Sequence, residues 1–279
     1  MKKHMRPLLA LLFCSVVLGC TNRKATSNVL PIKPDSLAWE VGFGFSNQDG
    51  SECKLILDES STLDPALYTH TILSDGKLGE IKFIEKKNPN EKDNGREAAH
   101  NFINHGGYLY QIASGNLNKH VTTLFMTHRY FSTRTQILFT KNETATLPQN
   151  LKKQIETEKG RKVKEARELA ALGKQRFVYI VEFETKNDSS LASLVLSNSK
   201  ERLYYDYSAK YDLQSTWRVD DQGRFGVEYY SIIAAFESPD GIELFTDWIG
   251  EEGFTVELIK QNKNNFQSVK KGYRYTAPL

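Results

Sequence analysis

Alternation of apolar and polar residues with a period of two is the feature that most constrains the fold of this chain. It begins at Leu37 and continues towards the C-terminus. Successive side chains of a β-strand point to opposite faces, so this pattern predicts half-buried strands and a predominantly antiparallel sheet protein. The residues that carry it are Ile81, Phe83, Tyr108, Tyr110, Ile112, Val121, Thr123, Phe125, Phe177, Tyr179, Val181, Phe183, Leu203, Tyr205 and Tyr207.

A hairpin is predicted close to the C-terminus. Ile242, Leu244 and Trp248 lead through Gly250-Glu251-Glu252-Gly253 into a second alternating run, which contains Phe254, Val256 and Leu258. A short loop bounded by glycines is typical of two strands that pair with each other.

One segment departs from the alternation and predicts a long helix. Its apolar residues recur at helical spacing among Lys, Arg and Glu, and they are Leu151, Ile155, Val163, Ala166, Leu169 and Ala170. Pro148 in the first turn and Gly173 after the last are the usual residues at helix ends. The sequence thus predicts one amphipathic helix over about 148–172, packed on a sheet face, and a second over about 96–104. The predicted class is α+β.

The N-terminus has the character of an export signal. Basic residues precede an apolar run, which ends in Val17-Leu18-Gly19-Cys20. This run is too short to cross a bilayer, and the whole segment resembles a bacterial lipoprotein signal with its lipobox. The resemblance implies cleavage after Gly19, a diacylglycerol on the Cys20 thiol and an acylated amino group. Such an anchor attaches the protein permanently to the lipid bilayer.

The predicted organisation follows from this signal. Residues 1–19 are the signal peptide, and residues 20–36 are a lipidated N-terminus and a polar tether. Residues 37–279 are a globular β-rich domain, either one unit or two halves, 37–145 and 174–279, on either side of the predicted helix. An Asp directly after the lipidated cysteine would resemble an inner-membrane retention signal. Because Thr21 stands there, we predict the outer membrane, with the domain facing the periplasm.

Charge and cysteine content exclude several classes of protein. The leader contributes Lys2, Lys3 and Arg6 and no acid, so the remaining chain has 34 basic and 34 acidic residues. A neutral chain without a basic cluster does not predict nucleic-acid binding. Of the three cysteines, Cys14 leaves with the signal and Cys20 carries lipid. Only Cys53 remains, so no intramolecular disulfide is expected.

The chain lacks the common catalytic signatures. It contains no G-x-S-x-G, P-loop, H-E-x-x-H or C-x-x-C motif. The Ser51 to Lys54 and Ser197 to Lys200 strings have the spacing of a lysine-activated serine, but the partner motifs of such enzymes are missing. Glu97 and His100 would share one helical face, yet no second ligand pair accompanies them. We therefore predict no catalytic residues, no metal and no cofactor.

Charge is strongly polarised near the C-terminus. From Glu237 to Glu257 there are seven acidic residues and no Lys or Arg, and the next five charged residues are all basic. Exchange of these charges between neighbouring strands is one explanation. The other is a docking surface for a protein partner with a basic surface, because acidic clusters steer association and a central Trp anchors many interfaces. The candidate residues of this surface are Phe245, Asp247, Trp248, Glu251 and Glu252.

Several short stretches resemble those of one family. They are Leu37-Ala38-Trp39-Glu40-Val41, Leu147-Pro148 with Leu151, the Pro239-Asp240-Gly241 turn, the Trp248 strand and the Val256-Glu257 strand. With the lipobox, they resemble an uncharacterised family of proteobacterial lipoproteins. The resemblance brings no catalytic residues. Some such lipoproteins look like immunity proteins against toxins delivered into the periplasm, such as lipases or cell-wall hydrolases.

Three functional hypotheses follow. The first is a non-catalytic binding protein of the envelope, most concretely an immunity protein that occludes a toxin. The second is a structural or assembly lipoprotein, which pairs with an envelope complex by strand addition. The third is an enzyme whose site is assembled from residues far apart in sequence, which would show a deep pocket with convergent titratable groups.

Overall fold

A computed structural model describes residues 37–56, 64–141, 146–173 and 175–277, which all belong to one compact unit, Pro34–Leu279. This described part contains fifteen strands, and every strand pair in it is antiparallel. The strands are β1 (Val41–Ser46), β2 (Glu52–Leu55), β3 (Tyr68–Ile72), β4 (Leu78–Lys87), β5 (Gly107–Ile112), β6 (Thr123–Thr127), β7 (Thr135–Gln136), β8 (Val163–Ala171), β9 (Phe177–Phe183), β10 (Ser189–Ser197), β11 (Arg202–Lys210), β12 (Tyr230–Ser238), β13 (Gly241–Gly250), β14 (Gly253–Asn262) and β15 (Asn265–Tyr275). The α-helices are α1 (His128–Ser132) and α2 (Gln149–Lys159).

The first six strands close into a barrel in the order β1-β2-β5-β4-β3-β6. Apolar side chains fill it, namely Cys53, Leu55, Tyr68, Ile81, Tyr110, Ile112, Leu117 and Phe125. Gly42 and Gly44 alternate with the phenylalanines of β1. A Cβ at Gly44 would overlap the backbone oxygen of Lys54, so only glycine allows the two strands to approach this closely here.

The remaining strands form two sheets. One has four strands in the order β11-β10-β9-β8, and the central sheet has five in the order β15-β14-β13-β12-β7. Ile242, Leu244 and Trp248 of the central sheet share a core with the four-stranded sheet. Phe245 and Leu258 lie in a second core, together with side chains of the barrel. The central sheet is therefore buried on both faces.

The predicted long helix is wrong. Helix α2 has 11 residues and ends where Gly160 adopts a left-handed backbone with φ 61°, a frequent way for a helix to terminate. Residues Val163–Ala171 form strand β8 instead. Its pairing with β9 shifts register between Val163 and Glu165 and again between Glu168 and Ala170. Such bulges insert extra residues, so the apolar residues of β8 lose the period of two and imitate helical spacing.

The α+β class is consequently wrong as well. Half of the described residues are in strands and 12% are helical, which makes the described part a mostly antiparallel β protein. Helix α2 does cover a sheet face, because Leu151 and Ile155 pack with Tyr179, Val181 and Val195 on the outer side of the four-stranded sheet. It is a short helix that covers one side of this sheet.

The second predicted helix is reduced to one 3-10 turn at Ala99–Asn101. Buried Lys54 bonds the chain at and after this turn. Its Nζ lies 2.5 Å from the carbonyl oxygen of Phe102 and 2.5 Å from that of His105, and it donates to both. Burial is the main factor that lowers the pKa of this ammonium. These bonds hold the segment against the barrel.

The hairpin is confirmed. Strands β13 and β14 pair from Glu243 opposite Lys260 to Gly250 opposite Gly253, and Glu251 and Glu252 form the loop. Gly253 has φ 151°, and a Cβ there would overlap backbone atoms of Arg274. Neither α-helix of the described ranges is long and apolar enough to span a membrane. The predicted leader, the lipidated Cys20 and the tether lie outside the described residues.

Candidate functional site

The structure divides the five predicted docking residues. Phe245, Asp247 and Trp248 lie inside the protein, with relative exposures of 0%, 2% and 5%. Their strand β13 is the middle strand of the doubly covered central sheet, so both of its faces are buried. Glu251 and Glu252 are exposed. The docking surface predicted from sequence is therefore corrected, because only the two glutamates can meet a partner directly.

Trp248 is buried below the hairpin loop and packs against side chains of a neighbouring loop. Its ring stacks on Phe225 at a centroid distance of 4.0 Å, and its indole N–H donates to the Phe225 carbonyl oxygen at 3.2 Å. The guanidinium of Arg218 lies over the same ring at 4.3 Å. Arg218 also donates to the carbonyl oxygens of Phe225 and Ile249. Trp248 thus holds the loop 211–226 against the end of the β13–β14 hairpin.

Asp247 joins the central sheet to the barrel. Its carboxylate accepts hydrogen bonds from the backbone N–H of Thr122 at 3.1 Å and from the Thr122 hydroxyl at 3.0 Å. Burial raises the pKa of this carboxyl to about 6, although the Arg274 guanidinium, the two Thr122 bonds and the Lys141 ammonium oppose the rise. The residue is a polar contact between layers of the fold.

This raised pKa predicts a pH-dependent stability. Between about pH 4 and about pH 6, Asp247 stays protonated in the folded protein and is ionised in the unfolded chain. The stability that this group contributes is therefore present at about pH 4 and is lost as the pH rises through about 6. Asp247→Asn removes the titration. Relative to this variant, the wild type is expected to lose unfolding free energy from about pH 4 to about pH 7, by about 1.4 kcal/mol for each unit of pKa difference. Urea unfolding across this range measures it, and a difference that stays constant with pH would contradict the prediction.

The other acids of the run from Glu237 to Glu257 serve different purposes. Glu243 and Glu257 are buried. Glu243 pairs with Arg134, and Glu257 accepts from the hydroxyl of Tyr205 at 2.8 Å. Asp240, in the turn between β12 and β13, pairs with Lys260 of β14 at 2.7 Å. An ion pair with the basic stretch therefore accounts for Asp240, and the acidic run does not form a continuous acidic face.

The loop 211–226 and the hairpin loop together form the best candidate site. Two clefts lie here, of about 300 Å³ and about 210 Å³, and both are lined by Arg218, Val219 and Glu251. We call the surface around them the hairpin end. It comprises the acidic Glu251 and Glu252 and four side chains that are about half exposed, namely Val219, Tyr229, Ile249 and Tyr273.

Asp221 gives the loop a defined shape. Its two carboxylate oxygens accept four backbone N–H bonds, at 2.6–2.9 Å, from Thr216, Trp217, Arg218 and Gly223. Asp220 and Gln222 have positive φ of 53° and 54°. The Asp221 carboxylate is therefore saturated by structural bonds. The Asp220-Asp221 pair supports a turn.

Two donors at the hairpin end have no protein partner among the described residues. They are the indole N–H of Trp217 and the Nε–H of Arg218, and both atoms are buried. Both residues line the smaller cleft. An unpaired buried donor is costly, and each one in a native structure calls for a partner such as water or a ligand. No sequence pattern pointed to these two groups.

The residues that matched parts of catalytic or metal-binding motifs in the sequence do not lie in this site. The Ser51 hydroxyl donates to Asp49, while the Lys54 ammonium is buried against the 3-10 turn. Glu97 accepts from the backbone N–H of Tyr275, and His100 is exposed. Within the described ranges, no three His, Cys, Asp or Glu side chains are grouped so that they could hold a metal ion.

Comparisons with known proteins returned nothing: no family model, curated protein or solved structure gave a significant match to this chain. The resemblance to a lipoprotein family therefore stays a prediction from sequence.

Proposed function

We propose that this chain is a non-catalytic binding protein of the bacterial envelope, which docks a protein partner with a basic surface at its hairpin end. The observation that carries the proposal is the exposure of Glu251 and Glu252 at the tip of a rigid hairpin, beside apolar side chains that are also exposed. The lipobox at Cys20 supports attachment to the outer membrane on its periplasmic side. In its most concrete form, the protein is an immunity protein that occludes a periplasm-delivered toxin.

The composition of the hairpin end suits a protein interface. Exposed apolar side chains that lie side by side commonly mark binding surfaces, and aromatic residues are enriched in interface cores while charges surround them. Tyr229 and Tyr273 provide the aromatic area. The cleft of about 300 Å³ has room for one inserted side chain of a partner, and Glu251 stands at its wall.

Rigidity supports the same proposal. The hairpin end is built on the stacked Phe225, Trp248 and Arg218 and on the four bonds to Asp221. A preorganised surface loses little conformational entropy when a partner binds, so more of the contact energy appears as affinity. Trp248 therefore contributes to binding as a support and not as the exposed anchor that the sequence predicted.

Charge reversal at the tip tests the proposal. The double variant Glu251→Lys/Glu252→Lys is expected to weaken the complex at least about tenfold, because like charges then face each other across the interface. The salt dependence of the remaining affinity should also be less steep than for the wild type. The measurement is capture from an envelope extract with the full chain, followed by dissociation constants for the retained partner at two salt concentrations.

A matched control separates a specific site from general charge effects. Glu184→Lys/Glu201→Lys reverses two exposed acids that lie outside the hairpin end, and it should bind the partner as the wild type does. Equal loss in both double variants would show an unspecific attraction, and unchanged affinity in both would remove the hairpin end from the interface. Inhibition of a hydrolytic activity of the partner would identify the immunity role.

Strand addition is a second candidate, which one observation favours. Strand β11 lies at the end of the four-stranded sheet, and within the described residues only β10 pairs with it. Strand β15 lies close to β11 without pairing with it, and backbone groups left unpaired at such an edge can accept a strand from an envelope protein. A structural or assembly role of this kind would leave affinity insensitive to Glu251→Lys/Glu252→Lys and sensitive to a proline in β11.

A further inference from the structure

A cavity of about 380 Å³ lies away from the hairpin end, beside the loop after β3, the segment before β6 and the segment after β7. Its apolar lining consists of Ile72, Leu73, Leu117, Val121, Leu138, Phe139 and Ile233. The volume falls in the range of small-molecule sites, which are mostly apolar with a few polar groups. The proposed docking function uses none of these residues.

The polar groups of the cavity are biased towards positive charge. Lys77, Lys141 and Asp75 are its charged lining residues. Lys77 pairs with Asp75 at 2.9 Å, but both side chains are more than half exposed, so the pair is easily exchanged for another partner. Lys141 is exposed and also lines the cavity.

One further feature of the wall indicates a ligand. Leu138 is 59% exposed at the cavity, an arrangement that leaves a large apolar side chain in water. An apolar chain bound in the cavity would cover it.

We propose that this cavity binds a single-chain anionic amphiphile, whose hydrocarbon chain lies along Ile72, Leu117 and Ile233 and whose anionic group meets Lys77 and Lys141. The apolar walls account for the chain, because burial of methylene groups is favourable. The two ammonium groups account for the sign of the head group, because a charge-assisted hydrogen bond to an ammonium needs an anionic acceptor. A carboxylate at the end of an acyl chain has both properties.

The test uses the full chain in a nonionic detergent and native mass spectrometry to count bound molecules. Dodecanoate is the probe, and dodecyltrimethylammonium, with the same chain length and the opposite charge, is the matched ligand. We expect one dodecanoate per chain, with an apparent dissociation constant at least about tenfold lower than that of the cation. Similar binding of both ligands, or binding of neither, would overturn the proposal.

Variants locate the bound molecule. Lys141→Glu is expected to weaken dodecanoate binding at least about tenfold, since it replaces an attraction with a repulsion. Leu138→Asp should also weaken it, since it places a charge beside the chain. The controls are Lys82→Glu and Leu213→Asp, which change exposed residues outside the cavity lining. Detergent affects all variants alike, so an equal loss in the cavity variants and their controls would overturn the assignment to this cavity.

Discussion

Trp248→Ala is expected to lower the free energy of unfolding by about 3–5 kcal/mol. The side chain is 5% exposed, stacks on Phe225 and donates a hydrogen bond to the Phe225 carbonyl oxygen. Its removal leaves a large cavity between the central and four-stranded sheets. It also takes away the ring on which Arg218 lies. Urea unfolding followed by circular dichroism measures the loss.

Trp39→Ala is the matched control, because Trp39 is 41% exposed. A smaller cost is expected there, since less apolar area returns to water. The comparison also decides between two roles for Trp248. If Trp248→Ala retained wild-type stability and abolished partner binding, the exposed anchor predicted from sequence would be correct and the structural role would be refuted.

Arg134→Ala is expected to cost a similar amount, about 3–5 kcal/mol, because it leaves an uncompensated buried charge. The carboxylate of Glu243 has 0% exposure and lies 2.6 Å from Arg134 Nε and 3.1 Å from Arg134 Nη2. The hydroxyl of Tyr130 donates to the same carboxylate at 2.8 Å. This cluster connects α1, which follows the barrel, to strand β13 of the central sheet.

Arg129→Ala is the control for this second prediction. Arg129 is 65% exposed and pairs with Glu40 at 3.0 Å, and an exposed pair of this kind contributes about 1 kcal/mol or less. Chemical denaturation of both variants under one set of conditions gives the comparison. Equal losses of unfolding free energy in Arg129→Ala and Arg134→Ala would mean that solvent or another group compensates the charge of Glu243 when Arg134 is absent.

Local sequence patterns predicted the strands well and the helix badly. Phe177–Phe183 alternates without interruption and is strand β9. Strand β8 contains two bulges, and each shifts the buried side by one residue, so Val163, Leu169 and Ala170 matched a helix as closely as a strand. Gly160 marked the true end of α2, but a single glycine within a helical pattern is also tolerated at modest cost.

The candidate site shows a similar division. Gly250 and Gly253 indicated a turn, which made Glu251 and Glu252 exposed in the prediction and in the structure. Burial of Asp247 and Trp248 could not be inferred from β13 alone. A strand that alternates polar and apolar residues usually has one face exposed to solvent. Strand β13 instead packs against a core on each face, and its Asp247 and Glu243 form contacts between layers of the fold.

By itself, the sequence determined the antiparallel strands, the hairpin and its acidic tip, because these depend on side-chain alternation and on glycine backbone freedom within a few residues. Closure of the barrel, burial of the central sheet on both faces and convergence of the loop 211–226 with the hairpin were decided only by the tertiary structure. These features come from contacts between residues far apart in the chain, and such contacts decide which polar groups are desolvated. For that reason, several acids of the run that was predicted to form a docking surface make buried bonds, while Glu251 and Glu252 at the tip of the hairpin are exposed.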